Sequence, residues 1–201
     1  VGRLKPVVGT GQQERVVFCG PLGVGKTTAV RAVSDVEVAD TDVRRAPPRR
    51  SKNKDGSVDR KRTTTVGIDY GEWHRDDGGA KVAVYGTPGQ VRFEMVRSTA
   101  VSQKLRLVLW LFGQNDYAID EADEWLRYLG AKDKGVYDRI TVAVTRLDEP
   151  GDHPALEDYR ELLDRYAPGI PLVAADPRDR ESVQRAIDAA VGPRVGAEVS
   201  S

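Results

Sequence analysis

The stretch Gly20-Pro21-Leu22-Gly23-Val24-Gly25-Lys26-Thr27 limits what this chain can fold into more than any other. It joins a short β-branched run, Arg15-Val16-Val17-Phe18-Cys19, to a segment from Thr27 to Val33 with helical spacing of apolar residues. The pattern G-x-x-x-x-G-K-[ST] in that strand-to-helix context is a phosphate cradle. Gly23 and Gly25 let backbone N–H groups turn inward around phosphate oxygens. Lys26 supplies a point charge to the β and γ phosphates, and the Thr27 hydroxyl is a Mg²⁺ ligand. The helix that starts there adds the positive end of its dipole. Gly20, Val24 and Thr28 complete the set expected to hold the nucleotide's phosphates.

Apolar runs of strand length recur beyond this point. Thr65 to Trp73 alternates as an edge strand does, and 81–85 follows the turn signal Asp77-Gly78-Gly79, so the two read as a hairpin. Leu105 to Phe112 is almost wholly apolar, as a strand buried on both faces must be. Ile140 to Val144 and Pro171 to Ala175 read as the last two strands. Helical spacing occupies Asp120 to Leu129, Leu156 to Tyr166 and Arg180 to Val191. Strand, helix, hairpin and then repeated strand–helix units predict an α/β domain with a mostly parallel sheet and its ligand at the C-terminal strand ends.

Composition excludes several classes. With 31 Lys plus Arg against 31 Asp plus Glu the net charge is zero, which argues against bulk electrostatic binding of nucleic acid. A single cysteine, Cys19, excludes an internal disulfide and a multi-cysteine zinc site, and its place in a strand reads as core. The longest apolar run, Leu107 to Phe112, falls far short of the roughly 20 residues that span a bilayer. With no signal-peptide core in 1–13 and no C-terminal cysteine to prenylate, the expectation is a cytoplasmic protein without a stable membrane anchor. The segment Arg44 to Arg62 is basic and nearly free of large apolar side chains, so it reads as a mobile loop. It is either a solvated connection or a surface for an acidic partner.

Three downstream strings carry more specific information. Thr63-Thr64-Thr65-Val66-Gly67-Ile68-Asp69-Tyr70 opens the second predicted strand. Gly86-Thr87-Pro88-Gly89-Gln90-Val91-Arg92-Phe93 follows the third, and Thr145-Arg146-Leu147-Asp148 ends the fifth. Their order and position resemble the Ras-like small GTPases of the P-loop NTPase superfamily over roughly 15–191. The local strings look closest to the bacterial branch related to MglA and to the GTPases paired with Roadblock-type proteins.

The resemblance implies a six-stranded mixed sheet with helices on both faces. It sets a small-GTPase domain at 15–192 between an N-terminal extension, 1–14, and a C-terminal tail, 193–201. It further implies that GTP or GDP is the ligand and Mg²⁺ the metal. Thr65 matches the first switch threonine, which contacts Mg²⁺ and the γ-phosphate, with Thr64 as its neighbour in register. Gly89 matches the glycine that meets the γ-phosphate, and Gln90 the glutamine that orients the attacking water. Asp148 matches the aspartate that specifies guanine, Arg146 stands at the usual lysine and Thr145 at the usual asparagine. Ala175, within Ala174-Ala175-Asp176, falls where the family directs a backbone N–H at the guanine oxygen.

The chain also departs from that pattern. Gly86 takes the place of the second switch's metal-supporting aspartate, so either one negative charge is missing or Asp69, Asp40 or Asp42 supplies it. Leu22 occupies a phosphate-loop position where a branched side chain crowds Gln90 or an arginine finger. The expected activity is therefore slow GTP hydrolysis helped by a protein partner, a Roadblock-type protein or a GTPase activator. A nucleotide-binding signalling module with negligible hydrolysis and a P-loop small-molecule kinase are the alternatives. Arg92 and Arg97 read as solvent-facing, and Trp110 as core. Trp73 and His74 sit at the hairpin tip, either facing a partner or capping it.

Overall fold

The structure, a computed structural model, describes residues 13–43, 66–75, 81–87 and 105–192. Its strands are β1 (Glu14–Cys19), β2 (Ala39–Val43), β3 (Val66–Trp73), β4 (Val82–Gly86), β5 (Leu105–Phe112), β6 (Ile140–Thr145) and β7 (Leu172–Ala174). Among the described residues the α-helices are α1 (Lys26–Val33), α2 (Ala118–Lys132), α3 (Leu156–Asp164) and α4 (Arg180–Val191). The strands form one sheet in the order β2-β3-β4-β1-β5-β6-β7. β4, β1, β5, β6 and β7 run parallel, and β3 runs antiparallel to β4, so the sheet is mixed. The predicted hairpin is present as the β3–β4 pairing, from Asp69 opposite Gly86 to Trp73 opposite Val82.

The expected six strands are there, and β2 joins them as an additional antiparallel strand outside β3. β3 is therefore not the edge. The sequence hides β2 because Ala39-Asp40-Thr41-Asp42-Val43 carries two aspartates, a residue depleted in strands. Pairing along the β3 backbone forms it regardless of that propensity.

Two apolar layers enclose the sheet, as alternation along parallel strands requires. On one face Val17, Cys19, Leu107, Leu109 and Leu111 meet Ala122, Leu126 and Leu129 of α2 and Tyr159, Leu162 and Leu163 of α3. On the other, Val16, Phe18, Val108 and Trp110 meet Ala29, Val30 and Val33 of α1 and Val183, Ala186 and Ile187 of α4. Each fully buried Leu or Val is worth about 1.5–3 kcal/mol relative to exposure. Trp110 is fully buried and packs edge-on against Phe18, with ring centroids 5.4 Å apart, so it is core as expected. Burial also pushes the Cys19 thiol up to about 12, which makes it inert. Trp73 belongs to the α1–α4 layer, which decides against a partner-facing role. His74, beside it, is exposed and held by Asp35, whose carboxylate accepts from its backbone N–H at 2.7 Å.

Two glycines set how closely α1 approaches the sheet. A Cβ on Gly71 of β3 would lie 2.8 Å from Ser34 Oγ and 3.1 Å from Val30 Cγ1. One on Gly86 of β4 would lie 3.2 Å from Val30 Cγ2. With neither present, α1 drops onto the β3–β4 pair, and its first turn comes within reach of Asp69. Among the described residues no helix is long and apolar enough to cross a membrane.

Candidate functional site

The loop between β1 and α1 turns back on itself through left-handed glycines. Gly20 has φ 134° and Gly25 φ 109°, values that a residue with a side chain adopts only under strain. Space is as restrictive as the dihedrals. A Cβ at Gly20 would overlap the Trp110 carbonyl oxygen, and one at Gly25 would sit 2.6 Å from Pro177 Cγ. The loop is thus pressed between β5 and the β7–α4 connection.

Lys26, at the start of α1, is only 6% exposed, and among the described residues no carboxylate is bonded to it. Its ammonium donates to the carbonyls of Gly20 at 2.8 Å and Pro21 at 2.7 Å, spanning the loop from beneath. Burial lowers its pKa to about 8, only partly offset by the charges of Cys19 and Asp69. A buried cation bonded to neutral carbonyls gains when an anion arrives.

Thr27 donates its hydroxyl proton to Asp69 Oδ2 at 2.5 Å. Asp69 lies directly across the ladder from Gly86, and a Cβ on Gly86 would be 3.3 Å from that same carboxylate oxygen. Asp69, one of the three aspartates considered as a substitute for the carboxylate that Gly86 lacks, thus reaches Thr27 from the neighbouring strand and occupies the room Gly86 leaves. The pair of hard oxygen donors, hydroxyl and carboxylate, suits Mg²⁺. Among the described residues no group of three or more His, Cys, Asp or Glu side chains is placed to hold a metal, so any ion there would take its remaining ligands from phosphate and water.

A cavity of about 500 Å³ opens beside the loop, large enough for a nucleoside. The loop residues Gly23, Val24 and Gly25, with Thr28 of α1, form one wall. Arg146, Leu147, Asp148 and Glu149 after β6 form a second, and Ala174 to Arg178 after β7 a third. The expected phosphate loop and the expected purine reader Asp148 thus share one cavity.

Arg146 is held in a left-handed conformation, φ 59°, with its guanidinium carbon 5.4 Å from the Phe112 ring centroid. Phe112 in turn lies under the glycine loop, its Cζ 4.0 Å from where a Gly23 side chain would begin. Thr145 does not line the cavity. It is fully buried, and its hydroxyl donates to Leu111 O at 3.2 Å, tying β6 to β5. Ala175 lines the cavity, but its N–H is committed to Val144 O at 2.9 Å as a continuation of the β6–β7 ladder. Gly20, Lys26 and Thr27 lie at the loop's base rather than in the cavity wall.

Thr65, Gly89 and Gln90 lie outside the described residues, as do Thr64, Arg92, Arg97 and the segment 44–62. Thr87, which leads into Gly89-Gln90, is anchored: its hydroxyl donates to Phe18 O at 3.0 Å and its N–H to the same oxygen at 3.1 Å. Leu22, at the loop's outer turn, is 67% exposed.

Phe112 and the pair Asp176–Arg178 carry no sequence signal of their own, because their importance comes from where β5 and β7 end. No family model and no curated protein matches the chain.

Proposed function

We propose that this protein is a guanine-nucleotide-binding switch that hydrolyses GTP slowly to GDP and phosphate. The observation that carries the reading is the shared cavity: residues of the glycine loop above Lys26 and Asp148 line the same space. Loop N–H groups and the α1 N-terminus would hold the phosphates, and Lys26 would shift its ammonium toward them while staying on the Gly20 and Pro21 carbonyls. Mg²⁺, when bound, would neutralise charge on the β and γ phosphates. Thr27 would turn its hydroxyl oxygen to the ion, and Asp69 would accept a hydrogen bond from a water on the ion in place of the one it now accepts from Thr27.

Arg146, backed by Phe112, would cover one face of the base, and Asp148 would accept from its N1–H and 2-amino groups. Adenine offers neither donor at that edge and would leave the carboxylate unpaired. Thr65 and Gly89 would sense the γ-phosphate, and Gln90 would orient the attacking water. A binding module with negligible turnover is the second reading, favoured by exposed Leu22 at the mouth of the loop. Phosphate release in a single turnover separates the two.

The test is a titration of GDP, GTP and ATP, each with and without Mg²⁺, on wild type and Asp148→Ala. Wild type should prefer guanine nucleotides by about a hundredfold, and Asp148→Ala should lose most of that preference. Equal affinity for ATP and GTP in wild type would sink the reading.

A further inference from the structure

The wall of the cavity contributed by the β7–α4 connection has a particular hydrogen-bond inventory. A ligand in this space can be met only by donors that the protein has not already used. Ala175 N–H goes to Val144 O, Asp176 N–H to Ser182 Oγ at 2.9 Å, and Arg178 N–H to Asp176 Oδ1 at 2.8 Å. Pro177 has none. Every backbone donor from 175 to 178 is therefore spent within the fold.

What remains between 175 and 178 is the Arg178 side chain. Its Nε donates to Asp176 Oδ1 at 3.0 Å and its Nη2 to Asp176 Oδ2 at 2.9 Å, a two-point clasp that fixes the plane of the guanidinium. An arginine has five N–H donors, so the clasp leaves others for a ligand. Arg178 lines the cavity together with Asp148 and Glu149. The charges of those two carboxylates reach it too: its pKa is raised, first by the bond and charge of Asp176 and then by Asp148 and Glu149.

We propose that Arg178, positioned by Asp176, is the donor that reads the 6-oxo group of the purine, opposite Asp148 as the acceptor. This rests on the guanine-nucleotide reading and extends it to a residue which that reading does not use. The chemistry is complementary. Guanine presents an oxygen acceptor at position 6 beside donors at N1 and N2, which asks for one protein donor and one protein acceptor. Adenine reverses the pattern, placing its amino group against the guanidinium N–H groups and its bare N1 against the Asp148 carboxylate. Each of those contacts is repulsive, so the pair selects by rejection as well as by attraction.

The experiment measures GDP, IDP and ADP affinities for wild type, Arg178→Ala and Asp176→Asn, with melting temperature as a control for folding. IDP keeps the 6-oxo group and N1–H but lacks the 2-amino group. Arg178→Ala should weaken GDP and IDP by the same factor, about tenfold, and should strengthen ADP slightly, because ADP loses only a repulsive contact. Asp176→Asn should give a smaller loss with the same selectivity, because it loosens the clasp without removing the donor. If Arg178→Ala weakens all three nucleotides equally, the residue merely attracts phosphate and the proposal falls. If it changes none of them while wild type still prefers GDP over ADP, the proposal falls and the guanine reading stands. If wild type shows no preference for GDP, the guanine reading falls and takes this proposal with it.

Discussion

The two halves of the site are built on different principles. The proposed phosphate half is a continuous stretch, Gly20 to Thr28, that offers backbone N–H groups, a helix end and one buried ammonium. The proposed purine half is assembled from the ends of β5, β6 and β7 and offers side chains: Phe112, Arg146, Asp148 and Arg178. Backbone recognition is rigid and intolerant, as the crowded Cβ positions of Gly20 and Gly25 show. Side-chain recognition on exposed loops is adjustable, since Arg146 and Arg178 are 43% and 76% exposed. Substitutions in the first half should therefore be costly, and those in the second should chiefly change selectivity.

Lys26 offers the largest expected effect. Lys26→Met, which keeps the stem and removes the charge, should weaken GDP binding by more than about a hundredfold, the loss of roughly two charge-assisted hydrogen bonds. The same residue gives a pH signature. The free ammonium titrates near pH 8, and bound phosphate raises that pKa, so binding is strong below pH 8 and falls as pH rises through it. Affinity at pH 9 should be about tenfold below that at pH 7, with proton uptake visible by calorimetry in buffers of different ionisation enthalpy. Wild-type affinity that stays flat to pH 9.5 would show that the ammonium is not the phosphate contact.

Asp69 comes next. Asp69→Ala should lower GTP affinity about tenfold in Mg²⁺ and hardly at all in its absence. Moving the carboxylate back with Asp69→Ala plus Gly86→Asp should not restore it, because a Gly86 side chain meets Val30. Full recovery in the double variant would mean that β4 and β3 are interchangeable here. The smallest effect is expected on the purine half, where Phe112→Ala removes the ring beneath Arg146. A cation–π contact of about 1 kcal/mol predicts a loss of roughly fivefold for GDP, measurable by titration. A hundredfold loss would erase the contrast between the halves, because Phe112 would then be supporting the glycine loop as well.

Much of this architecture is legible in the order of residues. Leu105 to Phe112 can be little other than a strand covered on both faces, and Gly20 to Thr27 little other than a glycine-rich strand-to-helix turn. Both are local patterns whose periodicity or motif lies in consecutive residues. β2 is not legible, because its pairing partner and not its composition makes it a strand. Nor is the use of the Thr145 hydroxyl and the Ala175 N–H, both of which the sheet consumes through contacts with residues far away or on the adjacent strand.

From its order of amino acids alone the chain determined alternating strands and helices, a glycine loop over a lysine, and an aspartate at the end of the fifth predicted strand. Tertiary structure decided which groups are left to meet a ligand. It brought Asp69 to Thr27 across from Gly86, set Arg146 over Phe112, and spent every backbone donor from 175 to 178 while clasping Arg178 on Asp176. The physical reason is that a hydrogen bond can be assigned only once both partners have a place. Sequence specifies each group's capacity, whereas packing specifies whether that capacity is already used.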